Sequence, residues 1–243
     1  MTESRSEPHS ALATGQLVLT ALFVTALVTA QLTAAKVLQF TIPLSLPITG
    51  DALVLPGAAL AYALTFFASD CYAEVYGRKA AQRLVNVAFV MIFVMLALVW
   101  STIEAPAAQS SVDPGKFRTV LSASTNIVVG SLCAYVVSQN WDVIVFHRIR
   151  DFTDGDHLWA RNIGSTASSQ AIDTVIFVGV AFFALPRFVG IGPQLPMDVV
   201  LSLVVGQYVF KLLVALLDTP FVYAVVGFLR SQTSAGRMPS SAD

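Results

Sequence analysis

An all-α integral membrane protein, with six transmembrane helices in one bundle, is the fold class this sequence predicts. Three observations lead there. Of 243 residues, 56% are hydrophobic and 12% are charged, with a mean hydropathy of +0.72, whereas about a quarter of the residues of a soluble domain are charged. Runs with little or no charge recur six times along the chain at about the 20 residues needed to cross a hydrocarbon layer of ~30 Å. Between these runs stand Pro, Gly and charged residues, which interrupt helices and belong in water. This composition excludes a soluble globular protein. The net charge of −1 gives no electrostatic basis for binding nucleic acid.

Residues 1–13 mix acidic and basic groups and lack the short apolar core of a signal peptide, so they read as a polar, poorly ordered cytoplasmic tail. Gly15 to Ala35 is uncharged and forms the first span. It ends in Gln31, Thr33 and Lys36, a small polar set that also suits a lysine reaching for the interface. Pro43, Pro47 and Gly50 mark a turn near the membrane surface. The second span begins at Ala52 and continues through Asp70 and Glu74, four apart on one face, to the helix-stopping Gly77. The third, Leu84 to Ile103, is bulky and apolar on every side, as a lipid-facing helix should be. A loop with Pro106 and the Asp113-Pro114-Gly115 turn leads to the fourth, Thr119 to Trp141, where Ser122, Ser124, Asn126, Gly130, Ser131 and Ser138 allow close helix approach. Residues 142–161 read as a charged aqueous connection. Asn162 to Leu185 is the fifth span, stopped by Pro186, and Val199 to Leu229 is the sixth, interrupted by Gln207, Lys211, Asp218 and Pro220. Residues 14–230 are thus the six-helix domain, and the Ser-rich residues 231–243 form a disordered cytoplasmic tail. Of the 14 Lys and Arg, nine fall in the two tails and the second and fourth connections, and four in the other connections. By the positive-inside rule, both termini are cytoplasmic in a multi-pass protein of the cell membrane.

The fifth span carries the clearest sign of function. At helical spacing Asn162, Thr166, Ser169 and Asp173 fall within about 60° of one another, with Gln170 beside them. An ionisable group at membrane depth costs about 2.5–3.5 kcal/mol on insertion scales, so it lines a cavity or finds a partner. Hydroxyls alone would only join helices; the full set with Asp173 reads as the wall of a solute site. On the sixth span Gln207, Lys211 and Asp218 project within about 40° of each other, as a second polar stripe or a structural ion pair. Asp173 and Lys211 each lie about 14 residues into their spans from opposite surfaces, hence at similar depth, and are within reach if the helices are neighbours.

Other residues carry less. Cys71 and Cys133 have no CxxC spacing and His147 and His157 no HExxH-like pairing, so neither a disulfide framework nor a metal site is signalled. Trp100, Trp141 and Trp159 fall near span boundaries, as an aromatic interface belt does. The aspartates of the fourth connection, with Ala160 and Arg161, superficially resemble the metal-binding signature of membrane phosphatidyltransferases. Four residues separate Asp154-Gly155 from Ala160-Arg161 where that signature has two, and Gln170 and Thr174 stand where it needs a glycine and an aspartate. A solvated loop accounts for these aspartates better than an enzyme, and no cofactor is signalled.

The ordered runs SDCYAEVYGRKAAQRLV, SLCAYVVSQNWDVIVFHRIR, WARNIGSTASSQAIDTVIF and KLLVALLDTPFVY resemble the queuosine precursor transporters, over about Thr33 to Tyr223. That family is also described among vitamin uptake transporters and is similar to the substrate-binding components of energy-coupling-factor importers. Positions matching its motifs are Asp70, Glu74, Tyr76, Gly77 and Arg78; Ser138 and Gln139; Arg161, Asn162, Ser165, Thr166, Gln170 and Asp173; and Lys211 and Pro220. The resemblance implies a six-helix importer of deazaguanine-type bases for tRNA modification. Asp173, Gln170, Asn162, Thr166, Ser169, Lys211, Gln207, Asp70 and Glu74 are the substrate-binding candidates, with Phe177, Tyr135 or Tyr208 covering the flat faces of a base. A binding component for another purine-like or vitamin-like solute remains the alternative. The chain contains no GxxxxGK[ST] motif, so ATP hydrolysis would come from a separate energising partner; a homo-oligomer is also open.

Overall fold

The computed structural model describes residues 7–153, 158–192 and 194–235, with side chains described over 14–153, 163–192, 194–218 and 220–227. It is an all-α membrane protein with one small addition. Helix α1 (Glu7–Thr33) is followed by an antiparallel hairpin of β1 (Val37–Leu46) and β2 (Gly50–Pro56), then α2 (Ala59–Tyr76), α3 (Arg78–Glu104) and α4 (Pro114–Phe152). Helix α5 (Leu158–Val178) passes through a π-helical turn (Gly179–Ala184) into the short α6 (Leu185–Phe188), and α7 (Met197–Ala235) closes the chain. Among the described residues, five segments are long and apolar enough to cross a membrane: Thr14–Thr33, Arg78–Glu104, Pro114–Phe152, Ile163–Phe188 and Met197–Gly227.

The sequence reading differs from the structure at four places. Residues 37–56 form a hairpin instead of a turn followed by the start of a span. Pro43, Pro47 and Gly50 forbid a continuous helix there, while Val37, Phe40, Thr41, Val54 and their neighbours favour a ladder, registered Val37↔Pro56 to Thr41↔Ala52. The pairing becomes irregular beyond Thr41, where Pro43 has no N–H to donate. Helix α2 is consequently only 18 residues long, and with Asp70 and Glu74 in its last turns it is not among the five long apolar segments. Residues 142–152, expected in an aqueous connection, continue α4 as helix to a C-cap at Thr153, because charge by itself does not end a helix that projects into water. Pro186 does not end the fifth span. It sits at the start of α6, its missing N–H accommodated by the π turn before it.

The chain packs as two compact units. The first comprises α1 up to Ala30, residues 60–95 and α7 from Leu212 onward. Its core joins Leu19 and Phe23 to Ala68, Cys71, Tyr72, Ala81, Leu84 and Ala88. Alanines at these positions let helices approach without a hydrophobic driving force from water. Gln16 Nε2 donates to the Tyr72 hydroxyl at 2.8 Å. Gly77 turns α2 into α3 with φ of 87°, and its N–H donates to Ala73 O at 2.9 Å, a C-terminal cap that only glycine forms without strain. Along α3, Ala81, Leu84, Ala88, Ile92 and Met95 face inward, while Val87, Val90, Phe93, Val94 and Leu98 are exposed, as a lipid-facing surface.

The second unit comprises residues 31–59 and 96–211, hence the hairpin, α4, α5, α6 and the first part of α7. Here buried residues are unusually polar: Gln31, Ser122, Ser124, Asn126, Ser138, Ser165, Ser169, Thr174 and Gln207. Helix α4 opens on Asp113, whose carboxylate accepts the N–H of Lys116 at 2.8 Å with Pro114 in the first turn. It lies antiparallel to α5. At Gly130 an added Cβ would press on Ala181 and the Phe177 carbonyl, and at Gly206 it would collide with the Val54 backbone, so α7 packs directly on β2.

Candidate functional site

The seam between α4 and α5 is polar at successive turns. Ser138 Oγ donates to Asp173 Oδ1 at 3.3 Å, and one turn further along both helices Ser169 Oγ lies 3.3 Å from Asp142 Oδ1. Trp141 Nε1 donates to Ser168 Oγ at 3.1 Å on the exposed flank of the same seam. Serine is small enough to keep two helices close and still offer a donor, so Ser138 of α4 and Ser169 of α5 each place a hydroxyl against a carboxylate of the facing helix. Thr174 turns inward, but its hydroxyl is spent on Gln170 O at 2.8 Å.

Helix α7 supplies the counter-charge. Lys211 Nζ is 2.6 Å from Asp173 Oδ2, and the two side chains retain 13% and 27% of their exposure. The similar depth deduced from the sequence is therefore matched by contact. A lysine and an aspartate so placed in an apolar span neutralise each other at a distance where the charge-assisted bond offsets part of the desolvation each would suffer alone. Tyr208, one turn before, reaches α5 by donating its hydroxyl to Ala167 O at 3.3 Å. Gln207 is 9% exposed, and its buried Oε1 has no hydrogen-bond partner among the described residues.

The structure brings together some of the residues expected from the sequence and not others. Asp173, Lys211 and Ser169 belong to the polar seam and its α7 partner, and Gln207 lies one turn from Lys211 on α7. Gln170 is half-buried, while Thr166 is exposed, so the stripe drawn on the fifth span is wider than the face that packs inward. Asn162 lies outside the described side chains, and Asp154, Asp156 and His157 lie outside the described residues. Ser138 and Asp142 were not among the expected site residues. Ser138 entered the sequence reading only as a position that matches the family's motifs, and Asp142 had no such signal, because an aspartate on α4 acquires meaning only through the turn of α5 that faces it. Of the aromatic candidates, Phe177 is buried edge-on against Phe182 with ring centres 5.9 Å apart, and Tyr135 is exposed.

A different pocket lies wholly within the first unit. Asp70, Glu74 and Asp218 line a cavity of about 210 Å³ together with Ala215, Val222, Tyr223 and Val226. The stripe that sequence spacing drew through Gln207, Lys211 and Asp218 is thus divided: Lys211 serves Asp173, and Asp218 joins the acidic pair of α2. Among the described residues, no three His, Cys, Asp or Glu side chains are grouped to hold a metal ion.

Comparison with known proteins gives a consistent picture. The model of the family described as "Putative vitamin uptake transporter" matches residues 56–225. The chain is 33% identical over 164 residues to a Bacillus subtilis (strain 168) protein named "Probable queuosine precursor transporter", covering 67% of this chain and 68% of that one. A Haemophilus influenzae protein of the same name is 28% identical over 125 residues, covering 51% of this chain and 50% of that one. No solved structure matches the chain.

Proposed function

Because this chain belongs to the vitamin uptake transporter family, whose model takes in residues 56–225, we propose that it is a membrane transporter importing queuosine precursors, deazaguanine-type bases used in tRNA modification. The names of its relatives in B. subtilis and H. influenzae support the substrate class. The geometric observation that carries the reading is the Lys211–Asp173 pair, set among Ser138, Ser169 and Gln207 inside apolar helices. Helix faces that offer a carboxylate, an ammonium and an amide within two turns can hold a flat, neutral, hydrogen-bonding solute without asking it to carry charge across the bilayer.

In this reading residues 14–230 form the transport domain and both termini are cytoplasmic. Asp173, Lys211, Gln207, Gln170 and Ser169 contact the solute, and Asn162 and Thr166 continue the same helix toward the cytoplasmic end. Asp70 and Glu74 enter as positions that match the family's motifs. The protein moves its solute unchanged and is not an enzyme. The energy comes from an ion gradient or from a separate partner.

Uptake of a labelled deazaguanine precursor into proteoliposomes holding only this protein tests the reading. Saturable accumulation that responds to an imposed proton or sodium gradient supports a self-sufficient transporter. Saturable binding without accumulation supports a binding component that needs an energising partner. Absence of both overturns the reading.

A further inference from the structure

Inside the second unit, the lysine of an ion pair and an amide whose oxygen has no donor among the described residues lie a single helical turn apart on α7. Lys211 and Gln207 are separated by four residues, so their side chains leave the same face of the helix about 6 Å apart along its axis. Lys211 is engaged by Asp173 of α5, and the neighbouring Tyr208 bonds Ala167 of α5, which fixes this stretch of α7 against that helix. Gln207 Oε1 is buried and accepts nothing among the described residues. A buried carbonyl acceptor without a donor is destabilising, so its retention beside a charged pair points to a donor brought in by a ligand.

We propose that the solute inserts into the Lys211–Asp173 pair and that Gln207 reads the exocyclic 2-amino group of a guanine-type base. This inference rests on the transport reading and specifies how its site selects among bases. The lactam-amidine edge of such a base presents a carbonyl oxygen, a ring N–H and an amino group in a row. The carbonyl accepts from Lys211 Nζ in place of Asp173. The ring N–H and one amino N–H donate in parallel to the two oxygens of Asp173, and the second amino N–H donates to Gln207 Oε1. Every donor and acceptor on that edge is then matched, as is the Gln207 amide oxygen. An adenine-type edge, with an amino group where the carbonyl stands and a bare ring nitrogen, would set donor against Lys211 and acceptor against Asp173. Sites built on buried hydrogen bonds discriminate strongly against such mismatches, because the protein groups are left unpaired. Gln207 and Lys211 are thus specificity-determining residues, and the ion pair holds the recognition groups in place until the base exchanges with it.

The test is equilibrium binding of 7-deazaguanine, 7-deazahypoxanthine and 7-deazaadenine to the purified full-length protein. The wild type is expected to prefer 7-deazaguanine over 7-deazahypoxanthine, which lacks only the 2-amino group, by about 10-fold or more, and to bind 7-deazaadenine least. Gln207→Met, close in volume and without the amide oxygen, should weaken 7-deazaguanine by more than it weakens 7-deazahypoxanthine and so narrow the preference, the part that remains coming from the amino N–H that still reaches Asp173. Equal affinity of the wild type for the first two bases overturns the inference without touching the transport reading, and that measurement needs no variant to fold. An equal loss for both bases in Gln207→Met also overturns it, by making Gln207 merely structural. Failure of the wild type to bind any of the three removes the transport reading and the inference together.

Discussion

The two units handle their carboxylates in opposite ways. In the second, Asp173 meets a lysine at 2.6 Å and a serine hydroxyl at 3.3 Å. In the first, Asp70, Glu74 and Asp218 share a cavity of about 210 Å³ whose lining, among the described residues, holds no lysine or arginine. Opposite charges lower each other's desolvation cost, so a paired carboxylate tolerates close packing. Like charges do not, and a site that gathers them keeps room for solvent. One region therefore sets its carboxylate against a lysine, and the other gathers its carboxylates around a cavity. The same amino acid on two helices has two physical roles, decided by what faces it.

The strongest way to break this contrast is to remove the lysine. Lys211→Met leaves Asp173 without its cation, and stability measured by thermal unfolding in detergent should fall by about 2–4 kcal/mol, below the fully buried limit because Asp173 keeps some exposure. Lys211→Met combined with Asp173→Leu should recover much of that loss, while uptake is abolished in both. Simple additivity in the double-mutant cycle would mean that the contact carries no coupling. Asp173→Asn, which keeps the shape and removes the charge, should insert normally and reduce precursor uptake by about 10-fold or more. Normal uptake by that variant would remove the carboxylate from the site.

The units also differ in what they ask of glycine. Gly206→Val forces a side chain into the Val54 backbone and should cost about 1–3 kcal/mol in unfolding experiments. Gly77→Ala meets open space and suffers only from its φ of 87°, for a cost of about 1 kcal/mol. A larger loss at Gly77 than at Gly206 would show the hairpin to be loosely held. A smaller effect is expected in the acidic pocket, where Asp218→Asn should be neutral or stabilising by ~0.5 kcal/mol, since it removes one of three like charges. Marked destabilisation by Asp218→Asn would mean that the carboxylate has a cationic partner. Finally, in a variant with Cys71 and Cys133 replaced by Ser, Ser110→Cys between α3 and α4 should react with an impermeant thiol reagent on intact cells. Reaction only after permeabilisation would reverse the orientation.

Membrane residence, the positions of the long helices and their polar faces were written in the chain, because transfer from water to lipid is charged residue by residue and helical geometry repeats every 3.6 residues. That regularity also put Asp173 and Lys211 at one depth before any contact was seen. The hairpin of residues 37–56 is not legible in the sequence because its apolar run serves strand and helix alike, and proline spacing together with the packing of Val54 against Gly206 decides between them. Periodicity fixes the angle at which Lys211, Gln207 and Asp218 leave α7, but an angle does not name the neighbour standing there. Lys211 and Asp218 share a face of one helix yet sit two turns apart, about 10 Å along its axis. At one level that face meets an aspartate and at the other it joins two more acids, a division that arises from which helix lies opposite each turn.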